Sequence, residues 1–471
     1  MRNNNIFFLF ILALVLASCG KDYLDINQAN PNQTQNPPIN ALLANVTYQT
    51  GINVNRAGNV TAYYTQQLAS PNASSGSDVY ENVDRSALWL NIYDIIEDSR
   101  KMEAIAVERN AYQHIGVAKI TNAMNMSLLI DFFGNVPYSQ AWNPNIFKPA
   151  YDDAPAVYDS CLQLLDDGIA ALQQANPGIV LDPANDLVHG GATDEKAAWI
   201  KTAYALKARL LNRLGKLPAY DPAAILTALG NAYTSNSDDA QLTRFVNRSP
   251  WNLSAYNNTQ NLLDGWMSAT FIDALNGTTY GVFDPRIAYI TDTTKQGTYK
   301  GTRNGAGRSG GGTTGDESYL SLNGFYSKTG APLLLVTFAE MKFIEAEAAF
   351  ATDKARAYQA YLDGIKANMD KLGVPEADRD AYLANPAVAV GQAAFTKDLV
   401  FKEKYVAMFL HPEAWTDARR HNYQYKDFAL PANALLTSFI RRVGYPTTET
   451  SRNAENVPQV GSLADKLWWD Q

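Results

Sequence analysis

Cysteine, histidine, carboxylate and arginine side chains do chemistry only at particular spacings, and most of those in this chain of 471 residues fail that test. The four histidines, His114, His189, His411 and His421, are scattered, the closest pair ten residues apart. No H-E-x-x-H or other metal-ligand spacing exists, so each reads as a packing or surface residue. Gly305, Gly307 and Gly310 fit G-x-G-x-x-G, and Gly307, Ser309 and Gly311 fit G-x-S-x-G. A dinucleotide loop or a nucleophile elbow needs an apolar strand before it and a helix after it. Here the flanks are Lys300 to Asn304 and Gly311 to Gly315, and both matches are accidents of a loop built from few residue types. Glu413, Asp417, Arg419 and Arg420 crowd one short stretch. They read as buried or half-buried ion pairs, among themselves and with Arg441 or Arg442, rather than as acid and base. A glycosidase needs only two placed carboxylates, and 47 Asp and Glu leave that reading open.

Non-covalent capture fits the composition better. The chain holds 26 Tyr, 18 Phe and 8 Trp beside many Asn and Gln, more than a core alone requires. A sugar ring has an apolar face edged by hydroxyls, so Tyr and Trp can stack on the face while amides and charges bond the edge. From 231 to 333 apolar periodicity is interrupted, and Asn, Thr, Gly, Ser, Tyr and Trp predominate. Such a stretch in a compact chain is either a functional loop region or a disordered one. The candidate ligand residues are Trp266, Tyr280, Tyr299, Tyr319 and Tyr326, with Arg303 and Asn304 as polar neighbours; Trp251 tilts toward core. Asp78, Tyr80 and Asn82 form a second polar loop able to share the cleft. No catalytic residue, metal ligand or cofactor is expected.

The thiols point to a membrane address. Ile6 to Leu16 is unbroken apolar behind Arg2, a signal-peptide core too short to span a bilayer. Leu16, Ala17, Ser18 and Cys19 follow in the order of a bacterial lipobox, which implies cleavage before Cys19 and its acylation. The two or three acyl chains of a bacterial lipoprotein hold firmly where one would not. The expected organisation is therefore a signal peptide over 1–18, a polar tether and arm over 19–40, and one domain over 41–471. A net charge of -8 and a pI near 5.2 make nucleic acid an unsuitable partner. Cys161 is left alone, without a disulfide or two-thiol metal site, and reads as a small apolar residue.

The elements that must position the loops are helices. Apolar spacing predicts them over 84–110 (Leu88, Ile92, Ile95, Ile96, Ile105) and 112–130 (Ile115, Ala118, Met126, Leu129). Thr193 is placed to cap a helix carrying Trp199, Ala203, Leu206, Leu210 and Leu214 and ending at Gly215. Asp221 and Pro222 start another, which stops at Gly230. Helices resume at 335 (Phe338, Met341, Ile344, Ala348) and again from 395 (Phe395, Leu399, Val406, Leu410). Small residues at Ala203, Ala205 and Ala208 suggest helix pairs stacked in the tetratricopeptide manner, although no clean repeat consensus appears.

Several blocks together resemble the SusD/RagB-like nutrient-binding lipoproteins. They are Asp22-Tyr23-Leu24-Asp25 with Asn27, Pro31 and Asn32; Asp131-Phe132-Phe133-Gly134 through Val136, Pro137, Tyr138 and Ala141; Asp284-Pro285-Arg286; and Glu345-Ala346-Glu347-Ala348. Glu403-Lys404-Tyr405 runs on through Glu413, Trp415, Asp417, Arg419 and Arg420, and Trp468-Trp469-Asp470 completes the set. The block at 131–138 reads as a structural turn packed by its own aromatics. The resemblance implies a mostly helical SusD-like fold with tetratricopeptide-type pairs, an outer-membrane surface address, a SusC-like TonB-dependent transporter as partner, and a glycan or peptide ligand that is bound without being cleaved. The loops carry no ligand residue over by motif. A surface glycoside hydrolase and a protein-binding repeat scaffold are the rival expectations.

Overall fold

Pro38 cannot continue a helix backwards, and the first helix starts directly after it: α1, Ile39–Tyr64. This computed structural model describes residues 37–175, 178–260, 262, 264–309 and 315–471. Cys19, the signal segment and the tether to residue 36 lie outside the described residues. Two long helices follow as the apolar spacing predicts, α2 (Ser86–Glu108) and α3 (Tyr112–Phe133). Leu88, Ile92, Ile95 and Ile96 form the buried stripe of α2, whereas α3 is buried on nearly every side and is the central post of the fold. Its polar residues are paired inside: Asn125 Nδ2 donates to Thr50 Oγ1 at 2.9 Å, and its Oδ1 accepts from Asn53 at 2.9 Å.

α4 (Ala154–Leu172) packs beside α3 at a glycine crossing. A Cβ on Gly116 would stand 2.4 Å from the Leu172 side chain, and one on Gly168 3.1 Å from the Gly116 carbonyl. Only glycine lets the two backbones come so close. Next come α5 (Glu195–Arg213) and α6 (Pro222–Leu229). The cap of α5 is Asp194, not Thr193: the Asp194 carboxylate accepts from Ala197 N–H at 2.9 Å. Asp221 caps α6 with Pro222 in the first turn, and the helix stops at Gly230, as the spacing indicates.

The middle of the chain contributes α7 (Pro250–Thr259) and α8 (Ala269–Leu275). Two antiparallel strand pairs join distant segments, β1 (Leu68–Ala69) with β3 (Trp266–Met267) and β2 (Ala240–Leu242) with β4 (Leu333–Val336). Then come α9 (Phe338–Ala349), α10 (Lys354–Leu372), α11 (Glu376–Leu383), the single turn α12 (Gly391–Ala394), α13 (Lys397–Ala407), α14 (Glu413–Arg420) and α15 (Thr447–Arg452). Antiparallel neighbours α2 with α3, α3 with α4, and α9 with α10 make the protein a mostly α stack of helix pairs.

The acidic and basic blocks fasten this stack, though not by the pairing expected. Within α14 only Asp417 and Arg420 pair, at 2.8 Å. Glu347 of α9 meets Arg420 at 2.6 Å and Lys404 of α13 at 3.2 Å, and Lys404 meets Asp417 at 2.9 Å, closing a ring across three helices. Burial alone would raise the Glu347 carboxyl, but Arg420 and Lys404 hold it down at about 2. Glu413 pairs with Arg213 of α5, which also holds Asp131 at 2.5 Å. An eight-residue helix buried on several sides has more neighbours on other helices than on itself.

Arg419 has no acidic partner among the described residues. It donates to the Asp131 and Arg441 carbonyls at 2.7 and 2.9 Å and lies 3.7 Å from the Trp415 ring and 4.6 Å from the Trp469 ring. Asp470 takes Arg441 at 2.5 Å and Lys216 at 2.8 Å. Replacing Arg419 with alanine is expected to cost at least about 2 kcal/mol, because two buried carbonyls lose their donor and the two indoles lose the guanidinium beside them. Denaturant unfolding measures this; a variant as stable as the parent would remove Arg419 from the frame.

The Asp131 to Tyr138 turn is structural, and distant aromatics pack it. Phe132 sits 5.2 Å from Trp415, and Phe133 4.9 Å from Trp89. Cys161 is buried, with its thiol pushed up by desolvation, and packs as an apolar group.

Candidate functional site

A few bonds between distant segments position the stretch over 231–333. Asp78 is buried and accepts from Asn304 Nδ2 at 2.5 Å and from Gly305 N–H at 2.6 Å. Burial pushes its carboxyl up to about 6, against the pull of those two donors. Asn304 also donates to Leu68 O at 2.9 Å, and its Oδ1 accepts from Ser268 at 2.5 Å. Gly305 has φ of +76°, and a Cβ there would lie 1.8 Å from the Ala432 carbonyl. Segments 68–80, 266–309 and 429–435 are thereby tied together.

Five of the ten expected ligand residues belong to this frame. Asp78, Tyr80, Trp266, Asn304 and Tyr326 are all buried. Trp266 gives its indole N–H to Asn258 Oδ1 at 2.9 Å, Tyr326 packs between Phe325 and Phe409, and Tyr80 packs on Tyr64. For Tyr80, Trp266 and Tyr326, stacking on a ligand would require the ring to leave the core, and Asp78 and Asn304 already bond each other, so the five lie in the frame beneath the surface and not on it. Asn82 is exposed but lines a different cleft, of about 530 Å³, with Gly444, Tyr445 and Leu463. Tyr280 is half-buried with the Lys402 ammonium 5.1 Å from its ring centroid, and Arg303 is exposed.

Tyr299 and Tyr319 are both half-buried and lie on adjoining segments. Ser318 N–H donates to Lys300 O at 2.7 Å, which sets the two tyrosine-bearing segments side by side. Both phenols are raised by burial and then by the Asp292 carboxylate, which is exposed and accepts from Ser321 Oγ at 2.5 Å. Phe283, 53% exposed, lies 6.3 Å from Tyr299 at a 45° tilt and extends the ridge. It also forms one wall of an open cleft of about 510 Å³ with Tyr289, Pro285, Tyr382, Asp378 and Asn385.

Beneath the cleft lies the D-P-R element. Asp284 caps its short helical turn through Arg286 N–H and takes the Arg286 guanidinium at 2.5 Å. Arg286 also pairs with Glu403 and donates to Asn368 at 3.1 Å. Tyr382 gives its hydroxyl proton to Glu403 at 2.8 Å and accepts from Lys402 at 2.8 Å. Burial would raise Glu403, but Lys402 and Arg286 hold it at about 2. Glu403 is therefore held charged, and both it and Asp284 are fully engaged by Arg286, which suits a rigid floor and not proton transfer.

Phe283, Asp292, Tyr289, Asp378 and Asn385 were not among the sequence candidates. Phe283 had one signal, its place just before Asp284: once the arginine pair buries that turn, the preceding residue is left at the surface. Asp378 and Asn385 had none, because they reach the cleft from α11 and its C-terminal turn, about ninety residues on. The histidines are packing residues. His189 bonds Thr202 at 2.7 Å, His411 bonds Leu335 O at 3.0 Å, His114 bonds Asn40 at 3.0 Å, and His421 stacks on Phe401 at 4.4 Å. Among the described residues no cluster of three His, Cys, Asp or Glu could hold a metal ion.

The family model described as starch-binding, associating with the outer membrane, matches residues 31–446. The chain belongs to the SusD-like family. No curated protein matches it. Among solved structures, the SusD-like chain is similar to a SusD/RagB family protein from Bacteroides thetaiotaomicron at 21% identity, covering 92% of this chain and 99% of that one, TM-score 0.75. A SusD homologue from Bacteroides fragilis gives 22%, 93% and 100%, TM-score 0.76. A chitin-binding SusD homologue from Flavobacterium johnsoniae gives 22%, 92% and 97%, TM-score 0.75. At these identities the likeness establishes the mostly helical SusD-like fold. Among the described residues no helix is long and apolar enough to cross a membrane.

Proposed function

We propose that this SusD-like protein is anchored through acylated Cys19 at the outer-membrane surface, captures an oligosaccharide there, and passes it unaltered to a SusC-like TonB-dependent transporter. The observation that carries the reading is the exposed Phe283 ring against the half-buried Tyr299, with half-buried Tyr319 on the adjoining segment, beside a cleft edged by Asp378 and Asn385. Flat apolar rings with carboxylate and amide groups at their borders match the face and edge of a pyranose. The family's starch-binding description and the chitin-binding relative point to the same ligand class.

Calorimetry with maltooligosaccharides and chitooligosaccharides, together with an assay for new reducing ends, tests the reading. Saturable heat with no new ends is expected. Release of reducing ends would replace capture by hydrolysis, and silence with every glycan alongside saturable heat from oligopeptides would move the ligand to peptides.

A further inference from the structure

Against the net charge of -8, the first two helices carry an electropositive cleft away from the aromatic ridge. It encloses about 300 Å³ between Asn55, Arg56 and Asn59 of α1 and Arg85, Ala87 and Leu88 at the start of α2. Arg56 and Arg85 are both half-buried, and neither joins an ion pair among the described residues. Their partners are neutral: Arg56 donates to Asn53 Oδ1 at 2.8 Å, and Arg85 donates to Ser77 at 2.6 Å and to the Tyr64 hydroxyl at 3.2 Å. The one acid on the cleft wall, Asp84, is already engaged, its Oδ1 accepting from Thr447 N–H at 2.9 Å and Ser86 Oγ at 3.0 Å.

Two further observations concern the residues that line the cleft. Asn55 is 8% exposed and its buried side-chain Nδ2 has no partner; the buried Nε of Arg85 is likewise without one. Buried donors left unsatisfied are uncommon and call for an explanation. The N-terminus of α2 also opens here. Its first turn has no acidic residue and no side-chain cap, and the N–H groups of Ala87 and Leu88 precede its first internal bond, from Trp89 N–H to Arg85 O. Such a terminus favours negative charge. Two guanidinium groups, helix N–H groups and amides then share one small volume with a single carboxylate, Asp84, whose Oδ1 is turned to Thr447 and Ser86.

We propose that this cleft binds a carboxylate carried on a sugar, so that the protein has an acidic-sugar subsite on α1 and α2. A planar carboxylate can take two parallel bonds from one guanidinium, and a cleft of this size admits the group and part of one ring. The carboxylate contacts need only Arg56, Arg85, the amides and the helix terminus, whereas the sugar as carrier rests on the proposed glycan-binding function.

Calorimetric titration of the purified protein with galacturonate, galactose, acetate and inorganic sulfate tests it. Saturable galacturonate binding that weakens with added salt is expected, with galactose silent and acetate and sulfate at least tenfold weaker. Arg56→Gln is expected to weaken galacturonate at least tenfold and Arg56→Lys to restore part of the loss. Because Arg56 is half-buried, Asn59→Asp serves as the surface variant: it brings a negative charge to the mouth and is expected to weaken galacturonate at least tenfold with unchanged thermal unfolding. Phe283→Ala is expected to leave galacturonate binding intact, which separates failure here from failure of the glycan ridge. Equal binding of galactose and galacturonate, tighter binding of sulfate than of galacturonate, or indifference to both Arg56→Gln and Asn59→Asp would overturn the assignment.

Discussion

Replacing Arg286 with methionine is expected to lower the free energy of unfolding by about 3–5 kcal/mol, the usual result of removing one partner from a buried ion pair. Arg286 is fully buried, and Asp284 and Glu403 both depend on it. Lys402 still faces Glu403 afterwards, so the stranded charge is chiefly Asp284. Arg286→Lys is expected to fall between the two, since one ammonium cannot span Asp284, Glu403 and Asn368 as a guanidinium fork does. The pH dependence provides a second reading. The folded Glu403 carboxyl is depressed to about 2 from an ordinary 4.5, so its stabilising share is fully present above about pH 4.5 and is lost as pH falls toward 2. Arg286→Met is expected to flatten the stability profile in that window, measured by denaturant unfolding at stepped pH. Asp131 works in the opposite sense: burial pushes it up to about 7 despite Arg213, so its share of stability declines as pH rises from about 4 toward 7. An unchanged acid limb in the Arg286 variant would sever the link between this pair and Glu403.

Truncating Phe283 and Tyr299 together to alanine is expected to weaken oligosaccharide binding tenfold or more. Each ring in an aromatic stack is worth about 0.5–1.5 kcal/mol beyond the area it covers, and 1.4 kcal/mol is a factor of ten. Phe283 is 53% exposed, so its removal is expected to change stability by no more than about 0.5 kcal/mol. Trp266→Phe makes the contrasting case. It removes one of the two donors to the Asn258 side-chain oxygen, leaving only Asp264 N–H, and loosens β3 against β1, so it is expected to reduce stability, with ligand affinity unchanged in the protein that remains folded. A double variant with full affinity would remove the ridge from the binding reading.

The helices were legible in the sequence because their signals are local. Asp221 with Pro222 and Gly230 bracket α6, and the stripe from Leu88 to Ile96 marks α2. Where two capping residues stand together, as Thr193 and Asp194 do, the sequence leaves the choice open, and the structure takes the carboxylate. Ion pairing was legible as chemistry but not as partners, because Glu413 finds Arg213 and Arg420 finds Glu347 through packing between helices distant in the chain. The loops were the least legible. A tyrosine in a Gly-rich stretch has the same letters around it whether it ends half-exposed like Tyr299 or buried like Tyr326. What decides is a bond such as Asp78 to Asn304, made between segments that share no local pattern.

That bond limits how the molecule can be taken apart. Residues 231–333 hold the rings that face outward, but their shape is dictated by a carboxylate on the segment after α1 and by the Ala432 strap. A recombinant fragment cut to those hundred residues would keep every surface aromatic and still present none of them in register. Miniaturised binders or affinity reagents derived from this protein therefore have to start from the intact helical body, with diversity confined to side chains on the ridge.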